Sequence, residues 1–153
     1  MRAPRSAGFT LPELLITVIV MGILAMIAIP SLTSFVVTQR TRNASMDLAS
    51  AIVLGRAEAI KRNATVTVTA NDGAWSQGWT VAAGAETVRT YADYRGLDVT
   101  SADGSSMAIG NDGRLLSGPM SFLVRPEATS STTDVICVLV SGTGRVASHK
   151  GAC

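Results

Sequence analysis

The feature that most constrains this chain is an uncharged run, Leu14–Ile29 (LLITVIVMGILAMIAI), in which only Thr17 is polar. A helix that is apolar all round has no face to offer water, so the run belongs in a core or a bilayer. From Phe9 to Ile29 there are 21 residues, which as a helix reach about 30 Å, the thickness of a hydrocarbon core. Arg2 and Arg5 precede the run, and the positive-inside rule then holds that end in the cytoplasm and places everything after Pro30 outside. A cleaved secretory signal is the alternative, because a basic start, an apolar stretch and small residues near Pro30 match its outline. Glu13 opposes it: a carboxylate is out of place there and costs about 2.5–3.5 kcal/mol if carried to the membrane centre.

The remainder is one domain. At 153 residues, with 47% apolar and 16% charged, the chain is too apolar for a disordered tail and too short for a multidomain enzyme. Thirteen Lys and Arg stand against eleven Asp and Glu, and without Arg2 and Arg5 the balance is eleven against eleven, so no bulk charge points to nucleic acid. His149 is the only histidine, and with Cys137 and Cys153 it builds no zinc site, so neither metal nor cofactor is expected. His149 has no local carboxylate and reads as a solvated loop residue, and no nucleophile elbow, phosphate loop or calcium loop is present. No catalytic residue is expected.

Beyond Pro30 the apolar character narrows to a stripe. Ala44, Leu48, Ile52, Gly55 and Ala59 recur at helical spacing, with Arg40, Arg42, Asp47, Arg56 and Lys61 between them. The spacing predicts one helix from Phe9 to about Arg62, bent near Pro30, whose small residues, Gly55 among them, let a sheet approach closely. After Asn63 the period becomes two. Thr65–Ala70 alternates and ends at the hairpin signal Asn71-Asp72-Gly73. Further short strands are expected near 79–83, 87–91, 97–100, 106–109, 114–116, 121–125, 135–140 and 144–147, with a polar, mobile loop at 127–134. The closely spaced turns predict an α+β chain in which the long helix packs on a small antiparallel sheet or sandwich. Its parts are a leader (1–8), a membrane helix (9–30), its amphipathic continuation (31–62) and a β-rich domain (63–153).

Arg5-Ser6-Ala7-Gly8-Phe9-Thr10-Leu11-Pro12-Glu13-Leu14-Leu15 resembles the class III signal of type IV pilins and type II secretion pseudopilins. The resemblance implies that a prepilin peptidase cuts after Gly8 and methylates the new amine of Phe9, while the apolar helix stays as the assembly stem and Pro30 kinks it. It gives Glu13 an assembly role, pairing inside the filament with the Phe9 ammonium of a neighbouring subunit; the alternative is a carboxylate resting at the interface beside the helix dipole. Arg56-Ala57-Glu58-Ala59-Ile60, the Val-Thr-Val strand, Trp75-Ser76-Gln77-Gly78-Trp79 and Gly144-Arg145-Val146 resemble the GspH/FimT group. Membership implies a pilin-like fold and, first, a minor type IV pilin that helps prime or cap the pilus. The alternatives are a GspH-type pseudopilin of type II secretion and a pilus-borne DNA receptor. The implied partners are other minor pilins, the major pilin, the prepilin peptidase and the inner-membrane assembly platform. The implied location is a single pass in the inner membrane with a periplasmic domain, and then the pilus. Trp75 and Trp79 read as core residues, with ligand stacking as the alternative.

The C-terminal region poses two questions. The Gly-rich segment between Cys137 and Cys153 can fold the terminus back onto strand 135–140, so a disulfide is expected, as in pilins that staple this region; two unpaired thiols are the alternative. The FimT proteins of naturally competent bacteria, which this chain resembles, bind DNA through a C-terminal Gly-Arg-x-Arg motif, and here Gly144 and Arg145 match while Ala147 replaces the second arginine. Arg145 and Lys150 are the possible DNA contacts, set against a reading as a solvated face.

Overall fold

A computed structural model describes residues 9–127 and 134–153, and of Pro30 and Ser31 only the backbone. The expected leader 1–8, including Gly8, and most of the polar loop at 127–134 lie outside the described residues. Helix α1 (Leu11–Arg62) is continuous through position 30. The chain divides into two units, Met1–Val36 and Val37–Cys153. In the first, every described side chain is exposed, and the helix carries a window of mean hydropathy 2.6, long and apolar enough to cross a membrane.

The second unit holds the core. Its strands are β1 (Val66–Ala70), β2 (Trp79–Ala83), β3 (Glu86–Tyr91), β4 (Leu97–Thr100), β5 (Ser106–Ile109), β6 (Met120–Pro126), β7 (Ile136–Val140) and β8 (Val146–Lys150). They form two four-stranded antiparallel sheets, ordered β3-β2-β1-β5 and β4-β6-β7-β8. Alternation does what period two requires. Val66, Val68 and Ala70 of β1, and Met120, Phe122 and Val124 of β6, turn inward, and Ala44, Leu48, Ile52 and Ala59 of α1 are buried with them. Gly55 completes the helix stripe: a Cβ there would sit 3.2 Å from Ile109 Cδ1 and 3.4 Å from Val68 Cγ2, so its absence sets the helix-to-sheet distance.

Three local expectations are corrected. The turn at Asn71-Asp72-Gly73 does join two antiparallel strands, but not as a tight hairpin. A second 3₁₀ turn, Trp75–Gln77, follows, because Trp75 folds inward and its Nε1–H donates to the Gly104 carbonyl at 2.9 Å. The strand expected at 114–116 is a single bridge, Ile109 to Leu115, within a turn tied to the other sheet by Leu115 N–H donating to the Gly142 carbonyl at 3.0 Å. The strand expected at 144–147 begins later and runs through Lys150, which places His149 on β8 opposite Cys137 rather than in a loop, though exposed as expected. Its sequence lacks an apolar alternation because an edge strand can face water on both sides.

Cys137 and Cys153 form a disulfide that anchors the C-terminus over β7, with Cα atoms 5.1 Å apart. Cys137 is fully buried although it points away from the core-facing Ile136, Val138 and Val140. Closing 16 residues corresponds to about 3 kcal/mol of chain entropy. The folded domain should react with no thiol reagent, and reduction should lower its melting temperature; labelling of both cysteines without reductant would contradict this bond. Gly144 (φ +75°) lies against the Gly113 carbonyl and the Arg56 side chain, whereas Gly118 (φ +84°) faces open space. Both substitutions with alanine force a left-handed backbone, at about 1–2 kcal/mol. Gly144→Ala adds a collision, so its melting temperature should fall measurably further than that of Gly118→Ala.

Candidate functional site

The first group of interest is the start of the stem. Phe9 is 82% exposed, and Thr10 opens α1 with its carbonyl accepting from Leu14 N–H at 3.2 Å. The Glu13 carboxylate reaches back to the Thr10 N–H at 3.5 Å, the Thr-x-x-Glu arrangement of a capping box. Glu13 is also the only charged residue from 9 to 39. In the single chain it therefore satisfies a free helix N–H and lies at the positive end of the dipole. Leu11, Leu14, Leu15 and Ile16 around it are all more than half exposed.

The second group is the C-terminal hairpin. Ser141 N–H donates to the Arg145 carbonyl at 2.9 Å, and Arg145 N–H donates to Ser141 Oγ at 3.1 Å, closing the β7–β8 turn just before Val146. Register then separates the two cations. Ala147 lies opposite Leu139, and Lys150 lies opposite the core-packed Ile136, so Arg145 and Lys150 fall on opposite faces of the strand. Five residues of strand also put their backbones about 16 Å apart. Both are exposed, but they do not converge on one ligand.

Several other cations are already engaged. Arg125 pairs with Asp98 at 2.7 Å, and Arg114 lies 3.8 Å from Asp112. Arg62 bridges Glu58 at 2.6 Å and Glu86 at 2.7 Å, joining the end of α1 to β3. The hydrogen bond from Arg62 holds both carboxyls below the usual range, and the Glu86 contact raises the guanidinium further. These pairs are exposed, so they organise the surface more than they stabilise it.

The tryptophans are core residues. Trp79, fully buried, is stacked against Tyr91 at 5.6 Å and Tyr94 at 5.4 Å, and Trp75 meets Phe122 edge-on at 4.8 Å. Tyr94 donates to Asp47 Oδ2 at 2.7 Å; burial, aided by this bond, pushes the phenol above its ordinary range. Sequence reasoning missed Arg56, which it placed on the polar side of the helix. Its Nε is buried without a hydrogen-bond partner, and its side chain packs on the turns at Gly113 and Gly144, tying the helix to both. A half-buried arginine beside an amphipathic stripe gives no periodic signal, but the glycines of these turns are its counterpart.

Comparison with known proteins gives these features a context. The family model described as "Type II transport protein GspH" matches residues 44–144, and the "Prokaryotic N-terminal methylation motif" matches residues 3–29. No curated protein sequence matches. Two crystal structures of the type IV minor pilin FimU from Pseudomonas aeruginosa, strain PAO1, share the fold. One has 18% identity and a TM-score of 0.63 over 71% of this chain and 87% of that one; the other has 17% and 0.61 over 71% and 91%. A stem helix packed on antiparallel sheets, a methylation motif at its start and a family match over more than half its length make the chain a member of the GspH family of minor pilins and pseudopilins.

Proposed function

We propose that this chain is a minor type IV pilin that helps prime or cap the filament, a structural subunit and not an enzyme. In this reading it waits in the inner membrane with its C-terminal domain in the periplasm. The prepilin peptidase cuts after Gly8 and methylates Phe9, and the assembly platform passes the subunit to other minor pilins and the major pilin. Pro30, which has no N–H to donate to the preceding turn, is where the stem bends.

The observation that carries the reading is Glu13, the lone charge at the head of an apolar stem whose side chains are exposed. As a cap it needs only water or headgroups nearby. Moved into a bundle of stems, it needs a cation, and the Phe9 ammonium exposed by cleavage supplies one at the right depth. Attraction in a low dielectric then sets the register between subunits.

The family model's description favours a second reading, a GspH-type pseudopilin of type II secretion, for which the same stem chemistry serves. Loss of twitching on deletion supports the first reading, and loss of secretion the second. DNA capture is not favoured, because Arg145 and Lys150 lie on opposite faces and Ala147 takes the place of a second arginine.

Glu13→Ala should leave membrane insertion intact or improved and reduce the subunit in sheared filaments. Breaking a buried pair costs about 3–5 kcal/mol, so the loss should be on the order of a hundredfold or more. Normal incorporation of Glu13→Ala would refute the pairing. Duplex DNA should bind weakly, with a salt slope of roughly −2 or shallower. Micromolar binding abolished by Arg145→Ala with Lys150→Ala would instead promote DNA capture.

A further inference from the structure

Helix α1 bears a second apolar stripe that the described residues leave largely exposed, although the tip of Ile60 reaches the Gly113 turn. Met46, Val53 and Ile60 are 68%, 57% and 52% exposed. They stand seven residues apart, on the side of the helix opposite the buried Ala44, Leu48, Ile52, Gly55 and Ala59. Asn43, Ser50 and Ala57, all exposed, alternate with them at spacings of three and four. The result is a heptad seam, large residues at one position and small or polar ones at the other, on a helix whose opposite face already serves the core.

We infer that this seam docks the same helix of a second copy, in parallel, as a short two-stranded coil. The direction rests on the filament-subunit reading above, because two copies anchored through the same N-terminal segment run the same way. The flanking residues favour that arrangement. Arg42 makes no salt bridge among the described residues, and in a parallel pair it faces Asp47 of the other copy, a contact repeated by the two-fold symmetry. The next flanking pair, Ala49 with Leu54, is apolar. Arg56 and Lys61 would repel, but Arg56 is turned away into the glycine turns. Asn43 at a seam position favours two strands in fixed register. The seam is too short to hold two free domains together, and confinement to one membrane raises the effective concentration that it needs.

The test uses the full-length chain in membranes. Val53→Cys is treated with a short bis-maleimide; the native cysteines are bonded to each other, so only the new thiol reacts. An adduct of twice the chain mass is expected, with little at the exposed β3 control Thr87→Cys. Adding Met46→Asp and Ile60→Asp should abolish it while the domain keeps its resistance to limited proteolysis, which shows that it is still folded. No adduct at position 53, an equal yield at position 87, an adduct of another mass, or one that survives both aspartates would overturn the inference. Glu13→Ala, which tests the function reading, should leave the adduct intact. An adduct in membranes from a chain that never enters filaments would therefore sink that reading alone, and filaments without the adduct would sink the seam alone.

Discussion

The rest of the structure depends on an apolar surface whose described side chains are all exposed. The side chains described from Phe9 to Ile29 are exposed, and at about 25 cal/mol per Å² such a surface cannot remain in water. It must meet lipid or other stems. A signal that is cleaved and discarded would avoid the problem, but the match to the N-terminal methylation motif and to the GspH family supports the proposal that the stem is kept. Glu13 is what makes the two environments inequivalent. At a membrane surface it can cap its own helix, whereas among packed stems it requires a cation.

The second half of α1 answers a different demand. Its small residues, Gly55 above all, bring the helix onto β1 and β5, and Arg56 ties it to the turns at Gly113 and Gly144. The Gly113 turn lies in the connection from β5 to β6 that joins the two sheets, the Gly144 turn is the β7–β8 turn, and Leu115 N–H meets the Gly142 carbonyl where they touch. Gly144 of the Gly-Arg pair is thus a packing position. A glycine there is required by the fold whether or not Arg145 has a ligand.

What was legible in the sequence had a period. The helix stripe, its end near Arg62 and most of the strands follow from spacings of 3.6 and 2, and the stem start follows from a motif. What was not legible depended on contacts distant in sequence. Trp75 opens the first hairpin because Gly104 offers it an acceptor, β8 exists because β7 offers it an edge, and the Nε of the half-buried Arg56 is covered because two turns meet over it. The pairing of Cys137 with Cys153 was expected, but the separation of Arg145 and Lys150 was not, because it hangs on a strand register that polar residues do not announce.

The central claim is that the apolar helix is retained as a stem that begins at Phe9. Intact-mass spectrometry of the protein recovered from surface filaments or membranes addresses it most directly. The account predicts a chain that starts at Phe9, carries one added methyl group and lacks the two hydrogens removed by the Cys137–Cys153 bond. A mature chain that starts near Ser31, with the apolar run gone, would contradict it.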